Sequence, residues 1–199
     1  MTDEAIYSFV FRGILTDEAL DKAGRLAFQK IEGFSTEELT GELALSFLQE
    51  EFLTPARRMS VVYAAIASFE NSSRSLVKKI LLETAHADWW VISVPDGIRK
   101  KAESRREEER RIKWHSTRGD DLINFTDFGQ LLSIIVQNWT VFEPLLQRQQ
   151  WVQHIFDTME RSRNVIMHSG ELPSSSMNVL QASALQVNSR SRQSFRNRQ

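Results

Sequence analysis

Arg163-Asn164-Val165-Ile166-Met167-His168-Ser169-Gly170 closes a long amphipathic segment that begins near Gln147. At about 100° per residue, Trp151, Ile155, Met159, Ser162 and Ile166 fall on one stripe of a helix. Asp157, Arg161, Asn164 and His168 fall on a second, polar stripe. A segment patterned in this way is a helix with one buried and one solvated side, and its length makes it a main element of the fold. Gly170 reads as the residue just past the helix end, where left-handed backbone costs a glycine least. His168 then stands in the last turn, where the helix dipole favours the protonated ring. Arg163 belongs to neither stripe. It lies on the shoulder of the apolar one, where a solvated charge is not expected.

Working outward, the same helical period recurs. Only eight glycines and four prolines occur in 199 residues, and strict period-two runs are few, so the chain reads as all-α. Thr54-Pro55 predicts a helix start, with Thr54 as N-cap and Pro55 at the first helical position. The helix should run to about Thr84 with Met59, Val62, Ile66, Phe69, Ser73, Leu76 and Ile80 as its seam. Glu70, Asn71 and Arg74 flank that seam. Glu70 and Arg74 stand four apart, so they either pair with each other or form a polar wall facing the Arg163–His168 region. Ala87-Asp88-Trp89-Trp90-Val91-Ile92 is too aromatic for a solvent loop and is expected to pack under the bundle. After the turn signal Val94-Pro95-Asp96-Gly97 comes a helix over Ile98–Lys113. Its mixed charges read either as an exposed helix laced with ion pairs or as a basic edge for RNA. Asn124–Phe128 leads into a further helix buried through Leu131, Ile134, Ile135, Trp139 and Phe142, which Pro144 should break or kink.

The first 53 residues form an N-terminal helical extension, with Leu20, Ala23, Ala27 and Ile31 as one stripe. Ser35-Thr36-Glu37-Glu38 has the form of a capping box. The helix after it should carry Leu39, Leu43 and Phe47 and end at Glu50-Glu51. Residues 54–172 make the bundle. Residues 173–199 add one short helix, faced by Met177, Leu180, Ala184 and Val187, and a basic tail expected to be disordered. No Asp, Glu or Lys follows Glu171, whereas Arg190, Arg192, Arg196 and Arg198 do, in a chain whose formal net charge is −1. The tail is therefore either a solvated arm or a set of phosphate contacts for RNA.

Composition narrows the chemistry. Hydrophobic residues make up 41% and charged residues 26%, as in an ordinary globular protein. The absence of cysteine excludes disulfides, thiolate catalysis and zinc ribbons. No apolar run approaches the length of a membrane span, and the acidic N-terminus does not resemble a signal peptide. A cytoplasmic protein without membrane contact is expected. His86, His115, His154 and His168 are scattered, and the zinc-peptidase helix motif, the calcium loop, the glycine-rich phosphate loop and the nucleophile elbow are all missing. Neither a metal nor a cofactor is expected.

Arg163 and His168 remain. RNA carries its own nucleophile, the 2′-hydroxyl. Its cleavage needs a proton carrier near neutral pH and a cation for the charge growing on the phosphate, and histidine and arginine supply them. The amide of Asn164 can orient the imidazole or hold a phosphate oxygen. Positions 163 and 168 differ by about 140° around a helix, so one helix converges them poorly. Two copies across a two-fold axis converge them better.

Arg163-Asn164-Val165-Ile166-Met167-His168 resembles the R-N-x-x-x-H form of the R-x(4–6)-H signature of HEPN domains. The wider pattern is similar to the Swt-one-type subgroup: Phe69-Glu70-Asn71 with Arg74, Asp88-Trp89-Trp90, Val94-Pro95, Phe125-Thr126-Asp127-Phe128 with Leu131, and Asn138-Trp139 with Phe142. The resemblance spans roughly residues 55–172. It implies a four- to five-helix up-and-down bundle that dimerises through its motif helices. It also implies a metal-independent endoribonuclease of RNA processing, toxin–antitoxin pairs or antiphage defence. Arg163 would stabilise the scissile phosphate, Asn164 would stand beside it and His168 would transfer the proton. Glu70 and Arg74 would support them. The implied partners are RNA, a second copy of the chain, and an antitoxin or regulatory subunit. Members that have lost the motif serve as interaction modules, so two rival readings stand beside the nuclease: a non-catalytic module, and an RNA- or nucleotide-binding accessory protein.

Overall fold

The computed structural model describes residues 15–16, 19, 35–112, 118–173 and 176. The stripe Leu20, Ala23, Ala27 and Ile31, the expected helix of Met177, Leu180, Ala184 and Val187, and the tail arginines Arg190, Arg192, Arg196 and Arg198 lie outside the described residues. Those residues form α-helices, 3-10 turns and loops, with no strand among them, and the chain is all-α as its periodicity predicts. It divides between Leu53 and Thr54 into two compact units.

In the first unit, α1 (Thr36–Glu42) is closed by the expected capping box: Glu38 N–H donates to Ser35 Oγ at 3.1 Å, and Ser35 N–H donates to the Glu38 carboxylate at 2.7 Å. That carboxylate is held below the usual glutamate range, first by the backbone N–H of Ser35 and then by its side chain. The helix is shorter than its apolar spacing predicts. Ala44 turns left-handed at φ 50°, and Leu45–Phe47 forms a 3-10 turn. Phe47 therefore leaves the stripe of Leu39 and Leu43, and all three are exposed. Glu50 and Glu51 open the next helix rather than closing this one.

That next helix, α2 (Glu50–Ala85), corrects a second expectation. Thr54-Pro55 is no helix start, because Phe52 and Leu53 already donate to Gln49 O. Pro55 is the sixth residue of the helix, so it removes the N–H that would have met Glu51 O, a loss that the rest of this long helix outweighs. The seam holds through Met59, Ile66, Phe69 and Ser73 and then shifts. Val77 and Leu81 are buried, while Leu76 and Ile80 are half-buried, because the helix keeps a spacing of four where a spacing of three was expected.

After a 3-10 turn (His86–Asp88) come α3 (Trp89–Ser93) and α4 (Asp96–Arg111). The tryptophan cluster packs only in part: Trp89 is buried and stacks edge-on against Trp90, while Val91 and Ile92 are exposed. A third 3-10 turn (Leu122–Phe125) leads into α5 (Phe128–Gln137), α6 (Trp139–Leu146) and α7 (Gln149–Met167). The break between α5 and α6 falls at Asn138, not at Pro144, which lies within α6. Asn138 makes the break by donating its amide to Ile134 O and Ser93 O, both at 2.8 Å. Helix α5 packs chiefly on α7, and α4 packs on the 3-10 turn Leu122–Phe125.

Three rings join the bundle at one point. Phe69 of α2, Phe128 of α5 and Phe156 of α7 lie with centroids 5.7–6.1 Å apart, one pair stacked and two edge-on. Such contacts contribute about 0.5–1.5 kcal/mol beyond burial. They fix α2, α5 and α7 where the polar residues of interest project.

Candidate active site

Helix α7 buries Val152, Ile155, Phe156, Met159 and Ser162, close to the expected stripe, although Trp151 and Ile166 are only half-buried. Its end departs from expectation. His168 is the C-cap, and the left-handed residue is Ser169, at φ 61°. Ser169 N–H donates to Ile166 O at 3.0 Å and Gly170 N–H to Val165 O at 2.8 Å, the bond pair of a Schellman closure. Gly170 is required for closeness rather than for φ: a Cβ there would stand 2.7 Å from Val165 Cγ1.

Arg163 is half-buried on the shoulder of α7, as its spacing predicts. Its guanidinium lies 5.6 Å from the centre of the Phe128 ring, so the aromatic cluster carries it. Its Nη1 is 3.6 Å from Glu70 Oε1, and its Nη2 donates weakly to Asn164 Oδ1 at 3.4 Å. Glu70 is buried on α2, and the same oxygen accepts from Arg74 Nη2 at 2.6 Å. Glu70 and Arg74 therefore form the intrahelical pair, and Glu70 also faces Arg163, while His168 stays outside the polar wall expected to face both.

Arg74 also donates to Thr126 O at 2.7 Å and to Asn71 Oδ1 at 2.7 Å. Burial holds its guanidinium below the usual arginine range, Glu70 opposes that, and the charges of Arg118 and Arg163 add to it. The residue before Thr126 is held from the other side: Arg105 of α4 donates to Phe125 O at 2.7 Å. Arg105 also meets Gln130 Oε1 at 2.9 Å and Asp127 Oδ2 at 3.0 Å. Asp127 and Gln130 in turn form a capping box for α5. Two arginines on two helices thus hold two successive carbonyls of the segment that positions Phe128.

An open cleft of about 430 Å³ results, with Arg74, Arg105, Arg118 and Arg163 facing Glu70, Glu108, Glu109 and Asp127. Asn164 touches this group through Arg163. His168 does not: it is exposed at the helix end and does not line the cleft. Sequence reading missed Arg105, Arg118 and Asp127 as members of the group. Helix α4 is laced with ion pairs as one reading held, Lys100 and Arg99 to Asp96 and Arg110 to Glu107, but Arg105 leaves that pattern for the bundle.

The model of the SAV2148-like HEPN domain matches residues 41–188. The chain belongs to the HEPN superfamily, as its R-x(4–6)-H motif predicts. HEPN domains include ribonucleases and often dimerise, which gives the chain a ribonuclease- or nucleotide-related class. Neither the search of curated proteins nor that of solved structures found a match. No described helix is long and apolar enough to cross a membrane.

Proposed function

We propose that this protein is a metal-independent HEPN endoribonuclease that works as a homodimer in the cytoplasm. The RNA 2′-hydroxyl attacks the adjacent phosphorus, the 5′-oxygen leaves, and the products are a 2′,3′-cyclic phosphate and a 5′-hydroxyl. His168 takes the proton from the 2′-hydroxyl, and water supplies one to the leaving oxygen. Arg163 stabilises the charge on the non-bridging oxygens, and Asn164 orients the imidazole or the phosphate. Glu70 and Arg74 support Arg163, and Arg190, Arg192, Arg196 and Arg198 add contacts to flanking phosphates. A toxin or antiphage effector held in check by a partner protein is the setting that fits such an enzyme.

The observation that carries this reading is Arg163 itself. It sits on the face of Phe128, 3.6 Å from Glu70, at a cleft rich in arginine. The test is cleavage of single-stranded RNA by purified protein in EDTA, comparing wild type with Arg163→Ala and His168→Ala. Equal cleavage by all three proteins, or dependence on added metal, refutes the proposal.

The exposure of His168 away from the cleft favours a second reading. A non-catalytic module, antitoxin-like or an adaptor, has no use for a converged Arg-His pair. It predicts a dimer without nuclease activity, in which His168→Ala is silent.

A further inference from the structure

The four arginines of the cleft are not equally committed. Arg74 and Arg105 each hold a backbone carbonyl together with a carboxylate and a side-chain amide oxygen. Both are structural clamps with little left to offer a ligand. Arg163 is held loosely, by a 3.6 Å approach to Glu70 and a 3.4 Å bond to Asn164. Arg118 is the other loosely committed one. Its Nε meets Glu109 Oε1 at 2.6 Å, and its guanidinium carbon lies 5.9 Å from the centre of the Phe125 ring. Its side chain is more than half exposed. One edge of the group is thus anchored, which leaves the forked edge to meet an anion.

Arg118 and Arg163 come from different elements and line the same cleft. Both are near enough to Arg74 for their charges to act on it. Two guanidiniums gathered on aromatic faces around one opening, one 3.6 Å from its carboxylate and the other bound to Glu109 through Nε alone, suit an oxyanion shared between their forked edges. We infer that Arg118 and Arg163 grip one phosphate group of the RNA strand, which makes Arg118 a substrate-binding residue outside the R-x(4–6)-H motif. This rests on the reading of the protein as an RNA-cleaving enzyme, and it assigns that enzyme a second cation on its substrate.

The test is binding of a fluorescent single-stranded 2′-O-methyl oligonucleotide, which cannot be cleaved by 2′-hydroxyl attack, to the full chain over a series of salt concentrations. Arg118→Ala should weaken binding about five- to tenfold and reduce the slope of log affinity against log salt by about 0.7, one single-strand phosphate contact. Arg118→Gln keeps an aliphatic stem over Phe125 and should give the same result if the alanine variant folds poorly. The double variant with Arg163→Ala should lose less than the product of the two single losses, because both residues serve one phosphate. Affinity and slope unchanged in the Arg118 variants overturn the inference, as do strictly multiplicative losses. Cleavage lost on replacing Arg163 or His168, with affinity indifferent to Arg118, sinks the inference and leaves the enzyme standing. Wild type that neither binds nor cleaves RNA sinks both.

Discussion

Glu70 Oε1 lies between two arginines, 2.6 Å from Arg74 Nη2 and 3.6 Å from Arg163 Nη1. The short contact is a buried, charge-assisted hydrogen bond, and the long one is electrostatic. Arg74 therefore holds the carboxylate, and the carboxylate only biases Arg163. Replacing Glu70 by Gln keeps the shape and removes the charge from beside two half-buried cations. The expected cost is about 2 kcal/mol, read as a lower denaturant midpoint at an unchanged slope. RNA cleavage should fall as well, because Arg163 loses the group that aims it.

Arg74 and Arg163 should separate in opposite ways. Arg74→Ala removes the bonds to Thr126 O, Asn71 and Glu70 and leaves a buried carboxylate with the long contact to Arg163 in place of a hydrogen-bonded pair. A loss of about 3 kcal/mol follows. Arg163→Ala removes a long ion pair and a contact with one ring face, about 1 kcal/mol or less. Chemical denaturation of both variants, run beside the cleavage assay, should show Arg74 chiefly in stability and Arg163 chiefly in activity.

The end of α7 gives a pair of predictions of opposite sign. Gly170→Ala places a Cβ 2.7 Å from Val165 Cγ1 and 3.0 Å from Val165 O. Overpacking of this kind costs about 1–3 kcal/mol. Ser169→Gly relieves a non-glycine residue at φ 61° and should stabilise by up to about 1 kcal/mol. Thermal melting of the two variants reads both signs, and swapped signs would put the left-handed residue at Gly170.

Helix α1 supplies the pH dependence. Hydrogen bonds from Ser35 hold the Glu38 carboxylate below the usual glutamate range. A lowered folded value contributes stability that is fully present above the unfolded value and lost as pH falls through the folded one. An NMR titration should place the Glu38 midpoint below the ordinary glutamate range of about 4.3, with the Ser35 amide shift following the same curve. A Glu38 midpoint at the ordinary value would mean that the capping box is open in solution.

What the sequence revealed, and what it hid, divides along one physical line. Arg163 was legible because a charge on an apolar shoulder breaks a local period, and periods are visible in one chain. The all-α class, the Ser35–Glu38 box and most of the α7 stripe were legible for the same reason. Arg105 and Arg118 were not. The partners of Arg105, namely Phe125, Asp127 and Gln130, lie 20 to 25 residues away, and Arg118 meets Glu109 and Phe125 from outside any helix, so no helical wheel reports either set of contacts. Pro55 and Gly170 misled because each has two uses. A proline can stand inside a long helix at the loss of one hydrogen bond as well as at its first position, and a glycine after a helix can serve by its small size as well as by its φ.

The side chain of His168 is exposed at the C-cap of α7, while Arg163 faces the cleft. Replacing His168 by Ala should change stability by no more than about 0.5 kcal/mol, as at other surface positions, yet abolish cleavage. If each catalytic set takes its arginine from one chain and its histidine from the other, two inactive variants complement. Mixed Arg163→Ala and His168→Ala protomers form heterodimers in which one set is whole and the other has neither residue. With random pairing half the dimers are mixed and each has one working set, so activity should return to about one quarter of wild type. The measurement is cleavage by the refolded mixture against each variant alone. An absence of recovery would assign both residues of each set to the same chain, and it would then require α7 to turn His168 towards the cleft before catalysis.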